Sequence, residues 1–167
     1  AGIDVPLDAP PSRAQLDELA REFEHEREQG LQPPGNPVRV ACADAMFAWL
    51  RETEHAIVAG TLPSTQRAEL AVGAIGPARI LAMPFEVYSD IGRAIKRATA
   101  PLHTTIAAYS NGYYGYFPTA WAKQQGGYGA DSACRWFPGM LTAVSGAAEP
   151  VLTDAAVALC RDAVPTP

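Results

Sequence analysis

Histidine is scarce in this chain, and the three that occur, His25, His55 and His103, stand far apart. No HxH or HExxH arrangement exists, so no compact histidine metal motif is present. His25 falls on a charged helix face and reads as solvated, while His55 and His103 read as structural. Cys42, Cys134 and Cys160 are also widely spaced. Without a CxxC pair they do not suggest a cysteine zinc site. Cys42 and Cys160 sit among alanine and apolar residues and read as buried small hydrophobes. One disulfide plus one free thiol is an arrangement the spacing allows, so cysteine usage leaves the compartment open. No run of basic residues appears and the net charge is -5, which argues against nucleic-acid binding, where phosphates need concentrated Lys and Arg. No apolar stretch approaches the ~18–20 residues that span a bilayer. The start lacks both Met and a basic-then-apolar signal segment, and reads as processed or cut from a longer chain. No repeat or low-complexity tract occurs.

What is present suffices for one compact domain: 167 residues, 48% hydrophobic and 19% charged. Residues 1–11 carry Pro6, Pro10 and Pro11 and read as an extended leader. Ser12 is a good N-cap for a helix over 13–29, with Leu16, Leu19, Ala20 and Phe23 as its apolar stripe and Gly30 at its end. A linker, Gln32-Pro33-Pro34-Gly35-Asn36-Pro37, precedes a second helix over 38–58. Its expected buried stripe is Val40, Ala43, Phe47, Leu50 and Ile57, and Gly60 closes it. Residues 67–75 alternate and read as one strand. Gly76-Pro77 then signals a hairpin into a strand over 78–83. Helix is expected over 86–98 with Val87, Ile91, Ala94 and Ile95 inward, strand over 104–109, and a last helix over 149–163. That helix would bury Val151, Leu152, Ala155, Leu159 and Cys160, and Pro165 and Pro167 follow it. Residues 110–138 are rich in Gly and aromatics and show little periodicity.

The strand–helix–strand order at 78–109 is a βαβ unit, which implies parallel strands and a right-handed crossover. The fold class is therefore α/β, a mixed sheet with a βαβ unit and flanking helices. Loops leaving the two parallel strands share the carboxyl edge of the sheet, where open α/β sheets bind ligands. Pro84-Phe85-Glu86 and the segment 110–118 should thus lie near one another. Glu86, at or just before a helix start, could simply complement the helix dipole. Asn111-Gly112 is a turn signal, and the tyrosines around it could be packing, or a sugar-stacking surface.

Three stretches carry a resemblance: Met83-Pro84-Phe85-Glu86, then Ser110-Asn111-Gly112-Tyr113-Tyr114-Gly115-Tyr116-Phe117-Pro118-Thr119, then Gly126-Gly127-Tyr128. Residues 78–130 resemble the neutral/alkaline ceramidase-like family. That family has a Pro-Gly-Glu turn, an Asn-x-Tyr-x-x-Tyr-x-x-Thr loop, and a Tyr-Glu pair about twelve residues after the loop's second Tyr. Tyr128 here stands twelve residues after Tyr116. Residues 45–63, a helix followed by Gly60-Thr61-Leu62-Pro63, are similar to the element before this region in bacterial relatives.

The resemblance implies a zinc bound by two His, one Glu and one Tyr. The Glu maps to Glu86 and the Tyr to Tyr116, while Tyr128 maps to a catalytic phenol facing the substrate amide. Asn111 and Tyr113 map to loop-shaping or substrate-binding positions. A carboxylate and a phenolate are sensible oxygen ligands for Zn²⁺. The family's two His ligands lie upstream of this region. The resemblance thus implies part of a zinc amidohydrolase cleaving an N-acyl amide, completed by an upstream segment of the same precursor or a partner chain. The fold would be half of a larger layered α/β hydrolase domain, and the interface with the remainder would exceed the ~1,600 Å² of separable complexes. The family also favours a secreted or periplasmic location. Two positions depart from its pattern: Phe85 replaces the Gly before the Glu, and Gly129 replaces the acid after the Tyr. Both lie beside the expected site, so the substrate that the resemblance implies, a ceramide-like N-acyl amide, could instead be a related N-acyl amide. The alternative is a non-catalytic binding or structural module, or a metal-free relative, that uses the aromatic loop 109–121.

Overall fold

The structure is a computed structural model that describes residues 1–164, so Pro165 and Pro167 lie outside the described residues. It begins with strand β1 (Gly2–Pro6), followed by helices α1 (Arg13–Leu31) and α2 (Pro37–Ala59). Ser12 caps α1 through a capping box with Gln15. Asn36 caps α2 ahead of Pro37, and Gly60 closes it in the left-handed region. Gly30 does not end α1. It is buried inside the helix, where a Cβ would meet Val40 at 2.8 Å, so its role is close packing of the two helices. They share a core of Leu16, Phe23, Met46, Trp49, Leu50, Ala56 and Leu141. The buried face of α2 includes Met46, Trp49 and Thr53, while Val40, Phe47 and Ile57 are only half-buried. The face is rotated from the expected stripe because the Trp49 indole also has to reach the Met140 carbonyl, at 3.2 Å.

Strands β2 (Thr65–Glu69) and β3 (Ala71–Ile75) replace the single strand expected over 67–75. The chain breaks at Leu70, which is buried, and the two halves join different sheets. β2 pairs antiparallel with β1, and β3 pairs antiparallel with β4 (Ala78–Ala82) across Gly76-Pro77. The leader is therefore extended but belongs to the fold. Its alternate residues Ile3 and Val5 are buried, and β1 pairs antiparallel with Thr65–Glu69.

β4 runs parallel to β6 (His103–Ala107), joined by α3 (Ser89–Ala98). The sheet β3-β4-β6 is mixed, and α3 and α5 (Ala148–Asp162) pack against it, so the fold is α/β with a mixed sheet and flanking helices. One core holds Val5, Leu81, Met83, Phe85, Ile91, Ile95, Phe117, Leu152 and Cys160. α3 buries Ile91 and Ile95, and α5 buries Leu152, Ala156 and Cys160 while Val151, Ala155 and Leu159 are half-buried. All three cysteines are free thiols. Cys134 and Cys160 are buried, whereas Cys42 is only half-buried. No helix among the described residues is long and apolar enough to cross a membrane.

Candidate functional site

The two loops leaving β4 and β6 meet, and main-chain hydrogen bonds lace them together. Tyr114 N–H donates to the Pro84 carbonyl at 2.8 Å, Glu86 N–H to Gly115 at 2.9 Å, Ser110 N–H to Met83 at 3.0 Å and Tyr88 N–H to Phe117 at 3.1 Å. The outcome is a second, two-stranded parallel ladder of β5 (Glu86–Val87) and β7 (Tyr116–Phe117). Its register sets Glu86 directly opposite Tyr116. Directly opposed residues on one ladder project to the same face, with Cβ atoms about 5 Å apart. Below them Phe85 and Phe117 are fully buried with ring centroids 5.1 Å apart, and Phe85 also meets Tyr114 at 5.8 Å. Phe85 thus anchors the carboxylate's strand in the core. Glu86 does not open a helix, because α3 starts only at Ser89, so the dipole explanation for it does not apply.

Three phenols, Tyr109, Tyr113 and Tyr116, border this carboxylate. Tyr113 donates to Glu86 Oε2 at 3.5 Å, the long limit of a hydrogen bond. Hydrogen bonding to the same carboxylate, followed by burial and its negative charge, pushes the Tyr109 phenol up to about 12. Tyr116 is raised for the same causes in the same order. For Tyr113, burial comes first and the Glu86 charge second. The rings form two groups: Tyr109–Tyr113 at 5.2 Å with Tyr113–Phe137 at 4.9 Å, and Tyr116–Tyr128 at 5.8 Å with Tyr88–Tyr116 at 6.5 Å. Tyr109, Tyr113 and Tyr128 are exposed and Tyr116 is half-buried, so the carboxylate opens to solvent through a rim of hydroxyls.

Asn111 takes φ 63° in the turn between β6 and β7, as Asn tolerates, and Gly112 follows at φ 136°. Tyr109 was expected at the end of the β6 strand. It lies past Ala107 at φ 56°, its ring against Tyr113 and its phenol within reach of the Glu86 carboxylate. Its part in the cluster was the one missed from the sequence, because an aromatic after a strand reads as core until the turn is known. Gly115, at φ 73°, has Phe137 2.9 Å from where a Cβ would stand, so only glycine lets the loop pass.

Tyr128 opens a π-helical turn, Tyr128–Ser132, that leads into a 3-10 turn, Ala133–Trp136. A Cβ at Gly129 would lie 2.7 Å from Tyr88 Oη and 3.2 Å from the Tyr116 ring. The missing acid at this position therefore lets the turn close on Tyr116. Tyr128 also lines a cavity of about 330 Å³ with Phe23, Ala43, Met46 and Trp136. Of the histidines, His25 and His55 are exposed on α1 and α2, and His103 starts β6 at the edge away from Glu86.

The donor set at Glu86 consists of a carboxylate and phenols. Among the described residues no group of three or more His, Cys, Asp or Glu side chains converges. Glu86 and Tyr116 share one face of the ladder and are both hard oxygen donors, the donor type that suits a divalent cation. In the chain as it stands the phenols keep their protons, since the Glu86 charge disfavours a second anion beside it. A divalent cation there would reverse that sign.

No family model matches the chain, and no curated protein matches it. Among solved structures it is similar to one described as a ceramidase complexed with C2, at 23% identity and a TM-score of 0.41. That similarity covers 63% of this chain and 16% of the other, so the chain spans well under a fifth of that protein's length.

Proposed function

We propose that this chain is part of a zinc-dependent amidohydrolase that cleaves an N-acyl amide. Glu86 and Tyr116 would hold the metal, and an upstream segment or a partner chain would supply the remaining ligands. The observation that carries this reading is the β5–β7 ladder, which sets Glu86 opposite Tyr116 at the carboxyl edge of a parallel strand pair. The motifs resembling the ceramidase-like family fall on these same residues. When bound, zinc would polarise the amide carbonyl or activate the attacking water or hydroxyl.

The chain's own residues have separable tasks. Glu86 supplies the negative charge and Tyr116 a second oxygen. Tyr109 and Tyr113 hold protons toward the carboxylate and fix its rotamer. Tyr128, exposed at the rim, would hydrogen-bond the developing oxyanion through its phenol, an interaction typically worth ~3–4 kcal/mol. The ligand shortfall is the reason for a second polypeptide segment, since zinc sites usually offer at least three protein ligands.

The test uses the complete gene product with whatever segment or chain accompanies it. Zinc per molecule and N-acyl amide hydrolysis are measured for the native protein, Glu86→Gln and Tyr116→Phe. Both variants should lose metal and activity together. Full zinc occupancy in Tyr116→Phe would remove that residue from the ligand set, and absence of zinc from the native complete protein would sink the reading. The exposed rings of Tyr109, Tyr113 and Trp121 favour the second reading, a binding module built on the loop 109–121. A metal-free native protein that still recruits a ligand through those rings would establish it.

A further inference from the structure

The turn that presents Tyr128 leaves α4 (Ala120–Gln125) through Gly126 and Gly127, both at positive φ. Two glycines in succession give it little stiffness of its own. Lys123 supplies the missing restraint. From α4 its ammonium donates to the Asp8 carboxylate at 2.6 Å, the Ala130 carbonyl at 2.7 Å and the Asp131 carboxylate at 3.0 Å. An ammonium has three donors, and all three are used. The other Asp131 oxygen accepts from Gly127 N–H at 3.0 Å, closing the base of the turn. The Lys123 side chain is 12% exposed. Burial alone would lower its pKa, but its hydrogen bonds to the Asp8 and Asp131 carboxylates and their charges outweigh it, and the net shift is upward. The clip therefore stays charged at ordinary pH. Its acceptors Ala130 and Asp131 lie two and three residues beyond Tyr128, and Asp8 lies just past β1 in another layer of the fold.

We propose that Lys123 is a positioning residue for Tyr128, clipping the π-helical turn to the exit of β1 so that the phenol stays against Tyr116. The placement rests on the clip's geometry alone, while its consequence for turnover rests on the amidohydrolase reading above. Neither Lys123 nor its carboxylate partners touch Glu86 or Tyr116 in the hydrogen bonds of the site, so the effect runs through the turn.

The experiment places 3-fluorotyrosine at position 128 in the complete protein and compares Lys123→Met and Lys123→Arg with the parent. In Lys123→Met the fluorine resonance should move toward the free-residue position and sharpen, while a label at Tyr114 stays put. With an N-acyl amide substrate, kcat should fall about tenfold to a hundredfold with KM little changed, the signature of a misplaced transition-state donor. Lys123→Arg should restore much of both. A folded Lys123→Met whose Tyr128 signal is unmoved overturns the proposal. So does movement of the Tyr114 label by the same amount, which would mean general loosening. If Lys123→Met does not fold, Asp131→Asn, which keeps the Lys123–Asp8 contact, is judged by the same signal. If the complete protein hydrolyses no N-acyl amide, the functional reading fails and the fluorine signal still decides the clip.

Discussion

Two charged groups mark opposite ends of the β4 strand and its exit, and they are solvated in opposite ways. Arg79, 4% exposed, donates to four main-chain carbonyls: Cys160 at 2.9 Å, Gly76 at 2.8 Å, Ala78 at 3.0 Å and Ala163 at 3.0 Å. Two of these acceptors lie at the C-terminal end of α5, where the helix dipole is negative. Every partner is backbone and cannot leave. Glu86, at the carboxyl edge, is instead faced by phenol hydroxyls on exposed or half-buried rings that can rotate or give up a proton. A charge saturated by fixed carbonyls is a structural rivet. A charge held by exchangeable donors beside solvent is ready to receive something else.

Removing the rivet should have the largest effect on stability. Arg79→Met leaves carbonyls of α5 and the β3–β4 hairpin without a donor and should cost about 3 kcal/mol, read as a lower urea midpoint at unchanged slope. The tyrosine titration of the other end should not move. If it does, the two ends are coupled and the contrast fails.

Gly129→Ala comes next. Its methyl would press on Tyr88 Oη and the Tyr116 ring, so about 1–3 kcal/mol of overpacking strain is expected. Unlike Arg79→Met, it should also disturb the aromatic near-ultraviolet signal, because the turn must back away from Tyr116. A variant with parental stability and spectra would show that the turn is looser than the ring contacts imply.

The smallest stability effect belongs to Glu86→Gln, within about 0.5 kcal/mol at neutral pH. Its effect on titration should be plain. In the metal-free chain the Tyr109 phenol titrates at about 12 because of the Glu86 carboxylate, and Glu86→Gln should return it toward the ordinary value near 10. The linkage sign follows. A phenol whose folded pKa is raised binds more protons folded than unfolded between about 10 and 12, so parental stability falls as pH rises through that window. Glu86→Gln should flatten that decline. Equal alkaline sensitivity in both proteins would take Tyr109 away from Glu86.

Much of the scaffold was legible because its signals are local. Helices α1 and α2 follow from Ser12, Gly60 and apolar residues at helical spacing, and the parallel β4–β6 pair follows from one strand–helix–strand pattern. The convergence of Glu86 with the 110–118 loop follows from that topology alone. What was misread depends on distant partners. Residues 67–75 look like one alternating strand, but Leu70 is buried at a corner between two sheets whose other members are residues 2–6 and 78–82. Glu86 reads as a helix start because α3 follows it, whereas its strand exists only through pairing with Tyr116, thirty residues on.

The sequence by itself determined the α/β class, the helix limits set by Ser12 and Gly60, and the residue types gathered at the carboxyl edge. Only the tertiary structure decided which phenols face Glu86, that the leader holds a strand buried on one face, and that Lys123 ties the Tyr128 turn to Asp8. The physical reason is range. Caps, turns and apolar periodicity act over three or four residues, and their energies are visible in a short window of sequence. A two-residue ladder or a three-acceptor ammonium has no local signature, because its partners are brought together only when the whole core closes.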